Sequence, residues 1–271
     1  MNVNKKVNEI LSYRETRNGD VNNEFLLTIT SNFLKNISLR SNFIHGLLKE
    51  YNNKQVKADD SLKIAIGLYV CSLVACWETY FRDVFIFLCN NDENIKRRLD
   101  NEYNGKIIDN ITVGEFHARK FNFQNLRQTR EAFDDIFNKQ TQELTEYFNE
   151  EVFSGVVMTT YPLILKWIQE KVFKEKVDDL LKKAFEIRHK VTHDANYIID
   201  ANGLLLSEIE AVFQIIPQLF IGKIATDYSQ KRIVFNTKEL SVRITDTPTE
   251  DEINYAFSVE DFFATDYEVK K

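Results

Sequence analysis

Turn-forming residues are scarce in this chain. Eight glycines and three prolines among 271 residues leave little material for the many reversals of an all-β fold, so a mostly helical protein is expected. Cysteine is also sparse. Cys71, Cys76 and Cys89 fall in one predicted helix, where positions five and thirteen apart cannot form an unstrained bridge, and an odd count leaves one unpaired. We read a reducing, cytoplasmic compartment from this. Positive charge is not in excess: a net charge of −6 and a pI near 5.4 argue against a broad basic face for nucleic acid and leave room only for a local or transient contact. Long hydrophobic runs are missing too. The most apolar stretch, Ile64 to Trp77, lies between Lys63 and Glu78 and falls short of the roughly 18–20 residues a bilayer requires, so it reads as a buried helix and no membrane partner is expected. Met1 to Asp20 has no apolar core of the kind a secretory signal needs.

Apolar residues make up 44% of the chain, enough for a substantial core. From Glu24 to Tyr51 they recur at three- and four-residue steps, as in an amphipathic helix. A short helix and an Arg17–Asp20 turn are expected before it. Asp59-Asp60-Ser61 offers an N-cap for a second helix reaching about Cys89, apolar nearly all round in its middle and therefore central. Between Asn90 and Asn125 the pattern breaks into a small helix or two. Helical spacing returns over Thr129–Asn138, Gln142–Phe153, Tyr161 to about Phe173 and Lys176 to about Asp194. Asp200 to Gly203 is a turn, and a last long helix runs from about Leu204 to Tyr228. The β-branched clusters at Arg232–Phe235 and Leu240–Ile244 predict a short C-terminal tail or hairpin. No repeat or linker marks a second domain, so residues 1–230 are read as one helical domain, core about 24–228, with 231–271 packed on it.

Chemistry concentrates in Arg188-His189-Lys190-Val191-Thr192-His193, near the end of a predicted helix. An arginine offers a planar, permanently charged fork that matches phosphate oxygens, and a histidine titrates near neutral pH. Together they suit cleavage of RNA without a metal: a 2′-hydroxyl loses its proton, attacks the adjacent phosphorus and expels the 5′-oxygen. A five-residue step turns through about 140° on a regular helix, so either the helix ends between Arg188 and His193 or a second protomer completes the site. The same residues also fit a purely structural role, with Arg188 paired to Glu186 or to a neighbouring helix and His193 capping its own. His189 and His193, four apart, share a face, but a zinc peptidase would need glutamate after the first histidine and Lys190 stands there; no metal is expected. Glu78 interrupts the apolar helix within Trp77-Glu78-Thr79-Tyr80-Phe81-Arg82-Asp83, and a buried carboxylate requires a partner, for which Arg188 is a fitting choice. His45 and His117 have no company that suggests chemistry and are read as structural. Glycine phosphate loops, dinucleotide fingerprints, serine elbows and zinc-spaced cysteine pairs are all absent.

An arginine, a polar residue and a histidine at the fifth position after that arginine, on an all-α chain whose earlier helix carries the Trp77–Asp83 segment, resemble the HEPN superfamily, and among its branches the stand-alone RiboL-PSP-type bacterial proteins. The resemblance implies an all-α HEPN-like bundle with small additional helices, a two-fold homodimer that unites two motif copies, and metal-independent endoribonuclease activity without a cofactor. It implies that Arg188 binds and polarises the scissile phosphate, that His193 is general acid and base, and that His189 fills the polar second position. Members act in phage defence, toxin–antitoxin pairs and RNA processing, so an antitoxin or regulatory partner is implied as well; others have lost activity and serve as dimerisation, regulatory or nucleotide-binding modules. A well-known toxin branch carries tyrosine two residues after the histidine. This chain departs from it with Ala195 there and Tyr197 later.

Overall fold

A computed structural model describes residues 25–53, 60–103, 111–147, 161–200, 203–224, 232–236 and 241–245. The expected short N-terminal helix and turn lie outside them. Among the described residues the helices are α1 (Phe25–Asn53), α2 (Asp60–Asn91), α3 (Glu93–Tyr103), α4 (Val113–Ala118), α5 (Leu126–Phe137), α6 (Tyr161–Gln169), α7 (Phe173–His193) and α8 (Gly203–Ile224), with a 3-10 turn at Leu144–Tyr147. Strands β1 (Arg232–Asn236) and β2 (Ser241–Thr245) pair antiparallel with Ile233 opposite Ile244, and β2 runs beside α1. The architecture is an all-α bundle with a small C-terminal hairpin.

α2 is its axis. It packs against α1, α3, α4, α5, α7 and α8, and Val70, Leu73, Trp77, Phe81, Val84 and Phe85 along it are completely buried. The 32-residue helix extends well beyond the short apolar run read from the sequence, and by length and composition alone it could cross a bilayer. Half of its most apolar window is nevertheless enclosed by the other helices. Aromatic rings fill the space around it: Trp77 meets Phe81, Phe185 and Phe213, and Phe133 meets Phe81 and Phe220. Rings placed edge to face favour one another beyond the area they bury.

The fragmented stretch after Asn90 resolves into α3 and α4, each started by a side-chain cap. The Asp92 carboxylate accepts from the Asn94 and Ile95 amides at 2.9 Å. Thr112 and Glu115 form a reciprocal capping box. Gly114 lets α4 lie directly on α2, since a Cβ there would stand 2.6 Å from the Ile86 carbonyl oxygen and 2.9 Å from Asn90 Oδ1. Gly114→Ala must push α4 off backbone, and we expect a loss of about 2 kcal/mol in chemical denaturation; an unchanged midpoint would show that α4 is free to shift.

Two helix boundaries differ from the periodic pattern for local reasons. Lys171, with φ of 58°, reverses the chain after α6, while the Val172 amide reaches back to the Trp167 carbonyl at 2.9 Å, so Phe173 opens α7 instead of closing α6. In the described part of the helix expected over Gln142–Phe153, the chain forms a 3-10 turn; residues 148–153 lie outside the described set. Asp134 accounts for the interruption, taking hydrogen bonds from Thr141 Oγ1 at 2.9 Å and from the Tyr147 hydroxyl at 2.5 Å, which ties the segment to α5.

The 3-10 turn and Glu143 just before it are joined to α7 by Lys182–Glu143 at 2.9 Å and by Thr145 Oγ1 donating to Asp178 Oδ2 at 3.0 Å. Asp178 Oδ1 is buried without a hydrogen-bond partner. Burial pushes this carboxyl up to about 6, against the pull of the Thr145 hydroxyl and with help from the nearby Glu143 charge. The folded chain therefore holds that proton more tightly than the unfolded chain, whose aspartates titrate at roughly 4. This contribution to stability is full below that value, falls as pH rises to about 6, and stays at its lower level above. Asp178→Asn should be more stable than the parent at pH 7 and should lose this part of the pH dependence in urea titrations; parallel profiles across pH 4–7 would refute the assignment.

Candidate active site

α7 presents its apolar side, with Val177, Leu181, Ala184 and Ile187, to the core. Its final turns lie against α2 because Gly67 has no side chain: a Cβ there would meet Val191 Cγ2 at 3.1 Å and Ile199 Cγ2 at 3.9 Å. The segment after the helix is folded back by Asp194, whose Oδ1 accepts from the Asn196 amide at 2.9 Å and whose carbonyl accepts from Tyr197 at 3.1 Å. Buried Ile199 then seals it beside α2.

Arg188 and His193 are both helical, with His193 the last residue of α7. Of the two arrangements left open by the spacing, the helix does not end between them, and about 140° of helical rotation separates the directions in which they leave the axis. Arg188 is half-buried, while His189 and His193 are exposed with ring centroids 4.6 Å apart. Thr192 turns its hydroxyl back onto the Arg188 and His189 carbonyls at 2.8 and 3.1 Å. Lys190 pairs with Glu186 at 2.6 Å, which holds the Glu186 carboxyl below and the Lys190 ammonium above their ordinary ranges. Glu186 thus contacts Lys190, whereas a purely structural role had Arg188 paired with Glu186 or with a neighbouring helix.

The expected Glu78 contact is also different. Glu78 forms an ion pair with Arg82, one helical turn along the same face of α2. The Arg188 guanidinium instead donates from Nη2 to the amide oxygen of Gln124. Arg188 also lies near Cys71: its charge pulls that thiol downward, although burial, the larger influence, leaves it raised. Gln124 had no signal in the sequence, since it stands in a loop 64 residues away. Among the described residues, no group of three or more His, Cys, Asp or Glu side chains converges as a metal site.

A second polar cluster was not anticipated. The buried Glu210 carboxylate of α8 accepts from the Tyr69 hydroxyl at 2.5 Å, from Ser41 Oγ at 3.2 Å and faces His45 Nε2 at 2.9 Å. This gives His45 a carboxylate partner; burial first, and Glu210 next, drive the Tyr69 phenol well above its ordinary range. His117 bonds to the Leu99 carbonyl at 3.3 Å. Both histidines tie helices together.

The fold is an all-α bundle built round one apolar helix, with arginine and histidine five apart at the end of a helix packed on it, an architecture consistent with a HEPN-type bundle. The model of the RiboL-PSP-HEPN family matches residues 47–226, well over half of the chain, and the chain belongs to that family. No curated protein and no solved structure matches it.

Proposed function

We propose that this protein is a metal-independent endoribonuclease of HEPN type, acting as a homodimer in the cytoplasm as an effector of bacterial phage defence or of a toxin system. The observation that supports it most is the end of α7, where a half-buried, side-chain-anchored arginine stands beside two exposed imidazoles. In this reading Arg188 holds a nonbridging phosphate oxygen and stabilises the charge that grows on it in the transition state. A histidine base takes the 2′-hydroxyl proton, the 2′-oxygen bonds to phosphorus, and the 5′-oxygen leaves with a proton from the second imidazole of the cleft. The products carry a 2′,3′-cyclic phosphate and a 5′-hydroxyl, and no metal or cofactor enters the balance.

The angle between Arg188 and His193 favours a cleft formed by two copies. An apolar stripe on α2 would suit a second copy: Ile64, Leu68, Cys71 and Ala75 recur at one-turn steps on the helix that packs against the motif, and Ile64 and Leu68 are 48% and 58% exposed. His189 belongs to the same cleft as a polar neighbour of His193, whereas Glu78 acts on it only through α2. An antitoxin or regulator would be expected to cover this cleft.

The test is incubation of the purified chain with total bacterial RNA in excess chelator, followed by analysis of fragment ends. Cyclic phosphate ends formed by the wild type support the proposal. RNA left intact by a folded dimer would favour a catalytically silent dimerisation or nucleotide-binding module instead.

A further inference from the structure

Gln124 is held in place more firmly than a loop residue needs to be. On one side Phe123 is completely buried against Phe85, with ring centroids 5.8 Å apart, and its carbonyl accepts from Thr129 Oγ1 at 3.3 Å. On the other, Asn125 caps α5 by accepting from the Gln128 amide at 3.2 Å. The Gln124 amide itself donates to Asn122 Oδ1 at 3.0 Å, and the Asn122 amide in turn donates to Gln128 Oε1 at 2.7 Å. The side chain that meets Arg188 therefore projects from a fixed base.

The chemistry of the partner is equally informative. An arginine at a half-buried position most often gains from a carboxylate, because a charge-assisted, two-pronged pair is the stronger contact. A carboxylate would also cancel the positive charge and occupy the planar fork that a phosphate requires. An amide oxygen accepts one N–H, fixes the rotation of the guanidinium, and leaves the full charge and the remaining N–H donors in place. Glu78 of α2, the carboxylate expected to meet Arg188, is engaged by Arg82.

We infer that Gln124 is a positioning residue for Arg188, a neutral acceptor that orients the guanidinium toward an RNA phosphodiester without neutralising it. The inference rests on the reading of Arg188 as the phosphate-binding group. It assigns to the 121–125 loop a share in setting the cleft's affinity for the anionic backbone. A glutamate at this position keeps the shape and the hydrogen bond and changes only the charge, so it separates a positioning role from a structural one.

The experiment compares the full chain with Gln124→Glu, Gln124→Ala and Arg188→Ala in three measurements: melting temperature, affinity for a 2′-O-methyl oligoribonucleotide at low salt, and cleavage of the matching RNA in chelator. The 2′-O-methyl strand binds through the same phosphates but has no free hydroxyl to attack with. Gln124→Glu should melt at or above the wild-type temperature, yet bind the oligonucleotide about tenfold more weakly, close to Arg188→Ala, because the phosphate now competes with a carboxylate. Gln124→Ala should keep most of the affinity, since the charge remains, and lose roughly three- to tenfold in kcat through lost orientation. Wild-type affinity in Gln124→Glu would overturn the inference. So would failure of the wild-type chain to bind the oligonucleotide at all. Weakened binding by Gln124→Glu beside an inactive wild type would leave the positioning role standing and remove the nuclease reading.

Discussion

Replacing His193 with alanine is expected to lower RNA cleavage by about three orders of magnitude, the scale on which a positioned acid or base contributes, with the bundle still folded. The last residue of α7 is exposed, and its described side-chain contact is the ring of His189, so its loss opens no cavity and strands no buried donor. Arg188→Ala should be of similar severity for a different reason. On the proposed mechanism it removes the charge that offsets the developing oxyanion, while the half-buried position costs little packing. If the two residues act on one transition state, as proposed, the double variant should be no worse than the weaker single one, rather than showing the product of both losses. Initial rates on a defined RNA in chelator, with circular dichroism and sedimentation run on each variant, check this. Full activity in His193→Ala would end its assignment as acid and base.

Glu210→Ala is expected to cost about 3 kcal/mol of folding stability. Its carboxylate is the common acceptor for Ser41 and His45 of α1 and for Tyr69 of α2, and it is itself only 5% exposed. Truncation leaves the Tyr69 and Ser41 hydroxyls to satisfy one another at 2.8 Å, a poor replacement inside the bundle, and opens a cavity on α8. For a chain of this size the loss corresponds to roughly 6–12 °C in melting temperature. His45→Ala should cost far less, because that side chain is half-exposed and its solvent side repays part of the loss. A denaturation midpoint for Glu210→Ala equal to that of the parent would show that α1, α2 and α8 are held by apolar packing alone.

The long helices were legible because their cause is local. Apolar spacing at three and four residues defines α1, α2 and α7 within a few positions of their observed ends and the start of α8 within one, the expected end of α8 near Tyr228 lying outside the described residues, and Asp60 begins α2 as expected. The Arg188–His193 segment was legible for the same reason, since its residues are neighbours on one helix. The interruptions were less so. Lys171 adopts a left-handed conformation that its residue type does not announce, and the 3-10 turn at Leu144–Tyr147 is set by Asp134, a residue of the preceding helix.

What the sequence by itself determined is therefore the helical class, the central place of the apolar helix, membership of a recognisable family and the location of its arginine and histidine. Only the tertiary structure decided which polar groups meet: Arg188 with Gln124 instead of Glu78, Glu78 with Arg82, and Glu210 with Ser41, His45 and Tyr69. Periodicity shows which face of a helix is turned inward, but a hydrogen bond or ion pair also depends on how far each helix slides and rotates against the next. That is set by the packing of the whole core, in which a missing Cβ at Gly67 or a buried Phe123 moves a partner into reach from 64 or more residues away.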